Sequence, residues 1–359
     1  MKAGIFRIVI LNLLCFCMIF YSGFLFLKPS SSGVKTIPAN NKVPVSDKNV
    51  SSAGSSSNQS KTESSQSSAP AKENNQSSNP IAESSQSSAV AVSAGAVKGK
   101  IITRYITPYT APLSYDKIYM KNSTDLKISI KNLLNGKINF KIKKNSDPQV
   151  LILHTHATEC FMLHDKDYYT ENDQPRTTDN TKNMVAIGKV VAAKLNAAGI
   201  KTIHDTTQHD YPKYTESYSR AAKTINSYLK KYPSIKVVLD LHRDAVSSGE
   251  SDKVKLVTEI NGKKAAQVML VMGSQSGSVK NFPKWEENLK LAVRLQQQIE
   301  KTYPTLARPL SLMPKNYNES LTTGSMLLEF GTDANTLNEA LYSAELVGDC
   351  LVKLLNNLS

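Results

Sequence analysis

The sequence predicts an α/β domain, a mixed β-sheet with helices on both faces and its chemistry at the ends of the strands. Three observations carry that expectation. Short apolar runs at Val150–Leu153 (VLIL), Lys236–Leu241 (KVVLDL) and Ser325–Phe330 (SMLLEF) lack strict polar–apolar alternation and read as strands buried on both faces. Between them lie stretches with apolar residues at helical spacing. The first two runs pass directly into titratable side chains, His154 and His156 with Glu159, then His242, Arg243 and Asp244. In open α/β sheets ligands bind outside the carboxyl ends of strands, where these clusters would sit.

Within its 359 residues the chain changes character twice. Lys2 and Arg7 precede an apolar run, Ile8–Leu27, of about 20 residues, enough to cross a bilayer as a helix. The basic flank predicts a cytoplasmic N-terminus, and no small-x-small cleavage site follows, so residues 1–28 are expected to be an uncleaved anchor. Residues 29–97 are dominated by Ser, Asn, Gln, Lys and Ala, and ESSQSSA occurs at Glu63–Ala69 and again at Glu83–Ala89. Such a stretch buries too little apolar surface to offset chain entropy and is expected to be a disordered tether. As a flexible coil of roughly 70 residues it would span on the order of 45 Å. Residues 98–359 then form the predicted domain, with ample length for one full core.

Its elements follow in order. Lys98–Ile106 and Lys127–Lys144 carry alternating patterns expected as short strands. Asn183–Ala198 is a helix with Gly199 at its C-cap, Lys201–Asp205 a strand, and Tyr218–Lys231 a helix stopped by Pro233. Val254–Ile260 and Ala265–Val271 flank Asn261-Gly262, a hairpin signature. Trp285–Tyr303 is a helix closed by Pro304, and Thr336–Leu355 is the final helix.

The net charge of +14 fits an anionic environment without choosing among nucleic acid, acidic lipid and wall polymers. The four cysteines, Cys15, Cys17, Cys160 and Cys350, show no CxxC spacing and argue for neither a disulfide framework nor a cysteine zinc site. No Gly-x-Ser-x-Gly elbow, phosphate loop or dinucleotide fingerprint occurs. The spacing His156-x-x-Glu159 instead offers an imidazole and a carboxylate one turn apart, and His242 ends a second strand. If those strands are neighbours, His156, Glu159 and His242 make a three-ligand Zn²⁺ site with a fourth position open, the count of a catalytic zinc. His154 stands as an alternative to His156. Glu329, a carboxylate inside an apolar run, is expected to be the general base, because a buried carboxylate is costly unless paired or used. Arg243 is expected to stabilise an oxyanion or hold a substrate carboxylate. The loop His204–Tyr214, with His209, is expected to line a substrate groove, and Asp240 and Asp244 to orient an imidazole.

VLILHTHATEC, HDTTQHDYPKYTESYSRA, YPSIKVVLDLHRDA and SMLLEFGTDANTLNEAL, in that order from Val150 onward, resemble the stage II sporulation protein P family of endospore formers. The resemblance extends from about Ile101 to the C-terminus. It implies a membrane-anchored zinc N-acetylmuramoyl-L-alanine amidase that cuts the amide between muramic acid and L-alanine of the stem peptide during engulfment. A cross-link endopeptidase activity is also implied. The implied fold is the three-layer α/β/α architecture of zinc amidases and carboxypeptidases. The implied ligands are His156, Glu159 and His242, the base is Glu329, and His154, His209 and Asp244 face the substrate. Asp179 remains open as the acidic ligand in place of Glu159. The implied partners are peptidoglycan, the cytoplasmic membrane, and the stage II sporulation D and M proteins, with no nucleic acid. The implied location is the intermembrane space on the mother-cell side of the septum. The alternatives are a zinc carboxypeptidase trimming stem peptides and a non-catalytic wall-binding scaffold.

Overall fold

A computed structural model describes residues 95–359. The expected anchor (1–28) and all but the last residues of the tether (29–97) lie outside the described residues. Among the described residues no helix is long and apolar enough to cross a membrane.

The uninterrupted apolar runs become the middle of an eight-stranded mixed sheet. Its parallel half consists of β13 (Ser325–Thr332), β7 (Val237–Asp244), β4 (Val150–Leu153) and β6 (Thr202–His204), side by side in that order. On the other side of β13 the direction reverses: β11 (Val268–Gly273) is antiparallel to it, followed by β12 (Leu310–Met313), β3 (Ile118–Asn122) and β2 (Leu113–Tyr115). All four residues of β4 are buried, as strands covered on both faces require.

The two faces are covered unequally. Val150, Ile152, Leu239, Leu241, Leu328 and Phe330 point to one side, in a large core with α2 (Met184–Ala197), α4 (Trp285–Thr302) and α5 (Leu337–Asn356). The alternate residues Leu151, Leu153 and Val238 meet Ala221 and Ile225 of a single helix, α3 (Ser217–Lys231). The result is a three-layer α/β/α arrangement with one thin layer. By strand alternation Asp240, His242 and Glu329 belong to this thinly covered face.

A second sheet runs β10 (Lys263–Ala266), β9 (Asp252–Ile260), β1 (Val97–Arg104) and β5 (Tyr168–Thr170), with the short β8 (Ser247–Ser248) beside β9. The β9–β10 hairpin turns through Asn261 (φ 51°) and Gly262 (φ 73°), the paired positive φ that Asn-Gly supplies. Its second arm departs from expectation. At Gln267 the chain leaves β9 and enters the centre of the large sheet as β11, while the Gln267 amide holds Ile106 and Thr305 by their carbonyls. This sheet also holds the long β4–α2 connection, because β5 lies within it and pairs with β1.

Lys127–Lys144 does not form strands. Ser129 accepts a hydrogen bond from the Asn132 amide and Gly136 ends the turn, so Ile130–Asn135 becomes a short helix, α1. A capping serine with a closing glycine outweighs a brief alternation.

Candidate metal centre

β4 ends at Leu153, and alternation sends the next side chain, His154, to the same face as Ile152. Its Nδ1 lies 3.0 Å from the Leu241 carbonyl and its Nε2 2.9 Å from Nε2 of His204. Both rings press on α2 at Gly188, where a Cβ would meet His204 Nε2 at 2.4 Å and His154 Nε2 at 2.6 Å. Burial, with the neighbouring imidazole, pushes His154 down to about 3, and burial pushes His204 to about 4, so both are neutral at physiological pH. With both ring nitrogens engaged and its ring against α2, His154 stands outside the cluster that His156 joins. The strand stops before it, and His156 does not share its direction.

After His154 the chain turns, closed by the Glu159 amide donating to the His156 carbonyl. That turn carries His156 and Glu159 over the strand end toward β7. His156 Nδ1 stands 3.3 Å from Glu159 Oε1, and His242 Nδ1 stands 3.5 Å from Glu159 Oε2. One ligand atom from each of the three residues lies within 4.8 Å of the others. With bonds of about 2.0–2.1 Å, the ligand atoms of a tetrahedral zinc are roughly 3.3–3.5 Å apart, so the residues present fit the ion.

The remaining ring nitrogens agree. His156 Nε2 is 3.1 Å from Ser217 Oγ at the start of α3, and His242 Nε2 is 3.0 Å from Asp240 Oδ1, although not aligned for a hydrogen bond. Asp240 is itself fixed by the amide (2.8 Å) and hydroxyl (2.6 Å) of Thr155. Each imidazole thus turns one nitrogen to a supporting oxygen and the other to Glu159, as carboxylate-supported metal histidines do. Burial disfavours charge on both Glu159 and His242, yet mutual attraction wins. His156, His242 and Arg243 hold the Glu159 carboxyl well below the usual range, and Asp240 and Glu159 hold His242 well above it. Metal binding would have to displace that proton.

Asp179 is not part of the cluster. It pairs with Lys182 (2.7 Å) and caps the turn through Thr181. Arg243 lies within the cluster, but its guanidinium is spent on backbone carbonyls: Cys160 (3.1 Å), Pro175 (2.6 Å) and Asp244 (3.4 Å). Only its amide faces the site, donating to Glu159 Oε2 at 3.3 Å. It fastens the β4–α2 connection to β7, and the expected oxyanion role is withdrawn. His209 is likewise buried, between the His154 carbonyl (2.9 Å) and Thr224 Oγ1 (2.9 Å), so it ties down its loop and lines no groove. Cys160 is buried and donates to the Gln174 carbonyl.

Glu329 pairs directly with His242 in the β13–β7 ladder, so base candidate and ligand candidate stand side by side on one face. Its Oε2 is out of water and has no hydrogen-bond partner among the described residues. Burial, reinforced by Asp244, pushes the carboxyl up to about 8. Asp244 in turn pairs with Arg308 at 2.9 Å, a buried arginine whose charge opposes the rise.

Sequence reasoning missed Arg176 and Tyr218 at this centre and gave Tyr214 only as the end of a loop expected to line a groove. Arg176 reaches Glu159 Oε1 (3.4 Å) and Asp210 Oδ2 (2.5 Å), and its guanidinium lies 4.7 Å over the Tyr214 ring. Tyr214 stacks on His156, with centroids 4.6 Å apart. Tyr218 meets both candidate histidine ligands. None of these carries a local spacing signal; the loops and the start of α3 that hold them converge only in three dimensions.

A sequence model described as stage II sporulation protein P matches residues 24–352. Stage II sporulation protein P of Bacillus subtilis (strain 168) is 30% identical over 211 residues, which cover 56% of this chain and 49% of that protein. The chain thus aligns with about half the length of this relative. Among solved structures, N-acetylmuramoyl-L-alanine amidase AmiC2 of Nostoc punctiforme superposes with a TM-score of 0.34 at 10% identity, covering 58% of this chain and 96% of that one. The CwlD amidase from Clostridioides difficile, solved in complex with the GerS lipoprotein, gives a TM-score of 0.37 at 11% identity, covering 58% and 99%.

Proposed function

Because the chain belongs to the stage II sporulation protein P family, we propose that it is a sporulation cell-wall hydrolase, a zinc-dependent N-acetylmuramoyl-L-alanine amidase. The observation that carries this reading is the juxtaposition of His156, Glu159 and His242 with Glu329, an unpartnered carboxyl on the adjacent strand. The first three residues would hold Zn²⁺. When bound, the ion supplies polarisation of the scissile carbonyl and of the attacking water.

The rest of the reaction falls to the chain. Glu329 Oε2 takes a proton from the water as its oxygen adds to the lactyl carbonyl carbon, and then gives that proton to the alanine nitrogen as the C–N bond breaks. Water and amide become a carboxylic acid and an amine, and Glu329 returns to its starting state. A carboxyl raised by burial suits both halves of that exchange, since its affinity for the proton lies near neutrality. Asp240 and Ser217 keep the two imidazoles in the tautomer that faces the ion. The proposal includes peptidoglycan as substrate, attachment to the cytoplasmic membrane through residues 1–28, and action beside the stage II sporulation D and M proteins during engulfment.

Glu329→Gln tests the reading. The variant is expected to keep one zinc per chain while its release of intact stem peptides from sacculi falls by at least about 10³-fold. Full digestion by this variant would sink the role of Glu329. Release of terminal residues alone by the unaltered protein would make it a carboxypeptidase, and absence of stoichiometric zinc would favour a scaffold. Protease accessibility of the domain on intact protoplasts checks the location, and a protected domain would refute it.

A further inference from the structure

One polar group beside the candidate metal has no role in the steps above. Tyr218 is the second residue of α3, directly after Ser217, which supports His156. Its ring meets His156 edge-on at 5.5 Å (81°) and lies nearly parallel to His242 at 6.5 Å (12°), so it spans both imidazoles. The ring is held from behind. Tyr317 packs 6.2 Å away, and Asn318 donates from Nδ2 to the Tyr218 carbonyl at 2.9 Å. Both supporting residues have positive φ (50° and 59°), a backbone strained for non-glycine residues and maintained where a site over-determines it.

The hydroxyl is uncommitted. Tyr109, Tyr169, Tyr228 and Tyr342 each give their O–H to an acceptor: Glu300, the Ser251 carbonyl, Asp205 and the Ile260 carbonyl. The Tyr218 O–H has no such partner among the described residues, although its ring is enclosed by the site. A phenol is protonated at neutral pH and can donate a hydrogen bond to an oxygen that gains negative charge. The guanidinium of Arg243, the expected donor, is committed to backbone carbonyls, which leaves this phenol as an uncommitted neutral donor on the α3 side of the centre.

We propose that Tyr218 is a catalytic residue whose hydroxyl donates a hydrogen bond to the scissile carbonyl oxygen as that oxygen gains negative charge. The inference rests on the amidase reading above. The phenol transfers no proton; it stabilises developing charge and then releases the product carboxyl oxygen. A donor aimed at charge that exists only in the transition state lowers the barrier without tightening ground-state binding.

Tyr218→Phe removes the hydroxyl and keeps the ring. In the zinc-loaded protein kcat on sacculi or a muramoyl-peptide is expected to fall by about 10²-fold, as when one oxyanion donor is removed. KM, bound zinc and melting temperature should stay as in the unaltered protein. A phosphinate analogue of the tetrahedral intermediate, measured by calorimetry, should lose affinity by a similar factor. In a Glu329→Gln background, binding of the uncleaved substrate should be unaffected by the second change. A kcat within threefold of normal overturns the proposal. So does a loss that tracks lost zinc or a lowered melting temperature, which would make Tyr218 a positioning residue. If the unaltered protein releases no intact stem peptides the parent reading fails and this one with it; normal turnover beside a fully active Tyr218→Phe sinks only this one.

Discussion

Asp244 and Arg308 act on Glu329 in opposite senses, the carboxylate raising its proton affinity and the guanidinium lowering it. Asp244→Asn removes the first influence and frees Arg308 from its ion pair, so both changes push the Glu329 carboxyl down. The acid limb of kcat/KM against pH, where Glu329 must lose its proton to act as base, should then move about one unit toward lower pH. A pH–rate profile checks this, and an unmoved limb would assign it to another group. At this scale the sequence was informative where chemistry is tied to local spacing. His156 and Glu159 lie one turn apart, and His242 closes an apolar run, so position alone marked all three. It was uninformative where a side chain's job depends on distant backbone. Arg243 has the residue type of an anion binder, and only the folded β4–α2 connection shows its guanidinium bound to Cys160 and Pro175. Arg176 and Tyr218 sit in polar or helical stretches with nothing to single them out before folding.

Among the elements, α2 is a helix whose one glycine is fixed by its neighbours. Alanine at Gly188 would gain about 1 kcal/mol in helix propensity. The same methyl would meet two imidazole nitrogens well inside contact distance, where overpacking costs about 1–3 kcal/mol and the buried His154–His204 bond is lost besides. The second effect wins. Gly188→Ala is expected to lower stability by about 2 kcal/mol, read as a drop of several degrees in Tm by calorimetry. An unchanged or raised Tm would mean that α2 can slide away from the pair. The helices themselves were legible: α2, α3, α4 and α5 lie within a residue or two of the segments marked by periodicity and caps. Thr336 even completes a capping box with Glu339. The strands at the far edge of the sheet were not legible. β2, β3 and β12 are three to five residues long; the β2–β3 hairpin turns through Asp116-Lys117 without the glycine that marks such turns, and β12 pairs with β3 and β11, both remote in sequence.

Across the whole molecule, the centre joins segments that also hold the fold. Thr155 anchors on Asp240, and Arg243 on the β4–α2 connection, independently of any ion. The charged Glu159–His242 pair occupies the ligand positions when no metal is present. Chelation should therefore abolish hydrolysis while leaving the far-UV circular dichroism spectrum and a cooperative unfolding transition intact, with Tm lowered because a ligand of the folded state is gone. Unfolding on chelation would instead make the metal structural. The pairing of Glu329 with His242 across β13 and β7 carries one more implication. Their separation is set by the spacing between strands, about 4.8 Å, and not by any loop. Exposed loop positions that touch neither residue, such as Leu163 and Tyr211, are thus free to diversify among descendants without detuning this pair. On the proposed function, selectivity toward different wall chemistries can evolve on this scaffold separately from the capacity to cut.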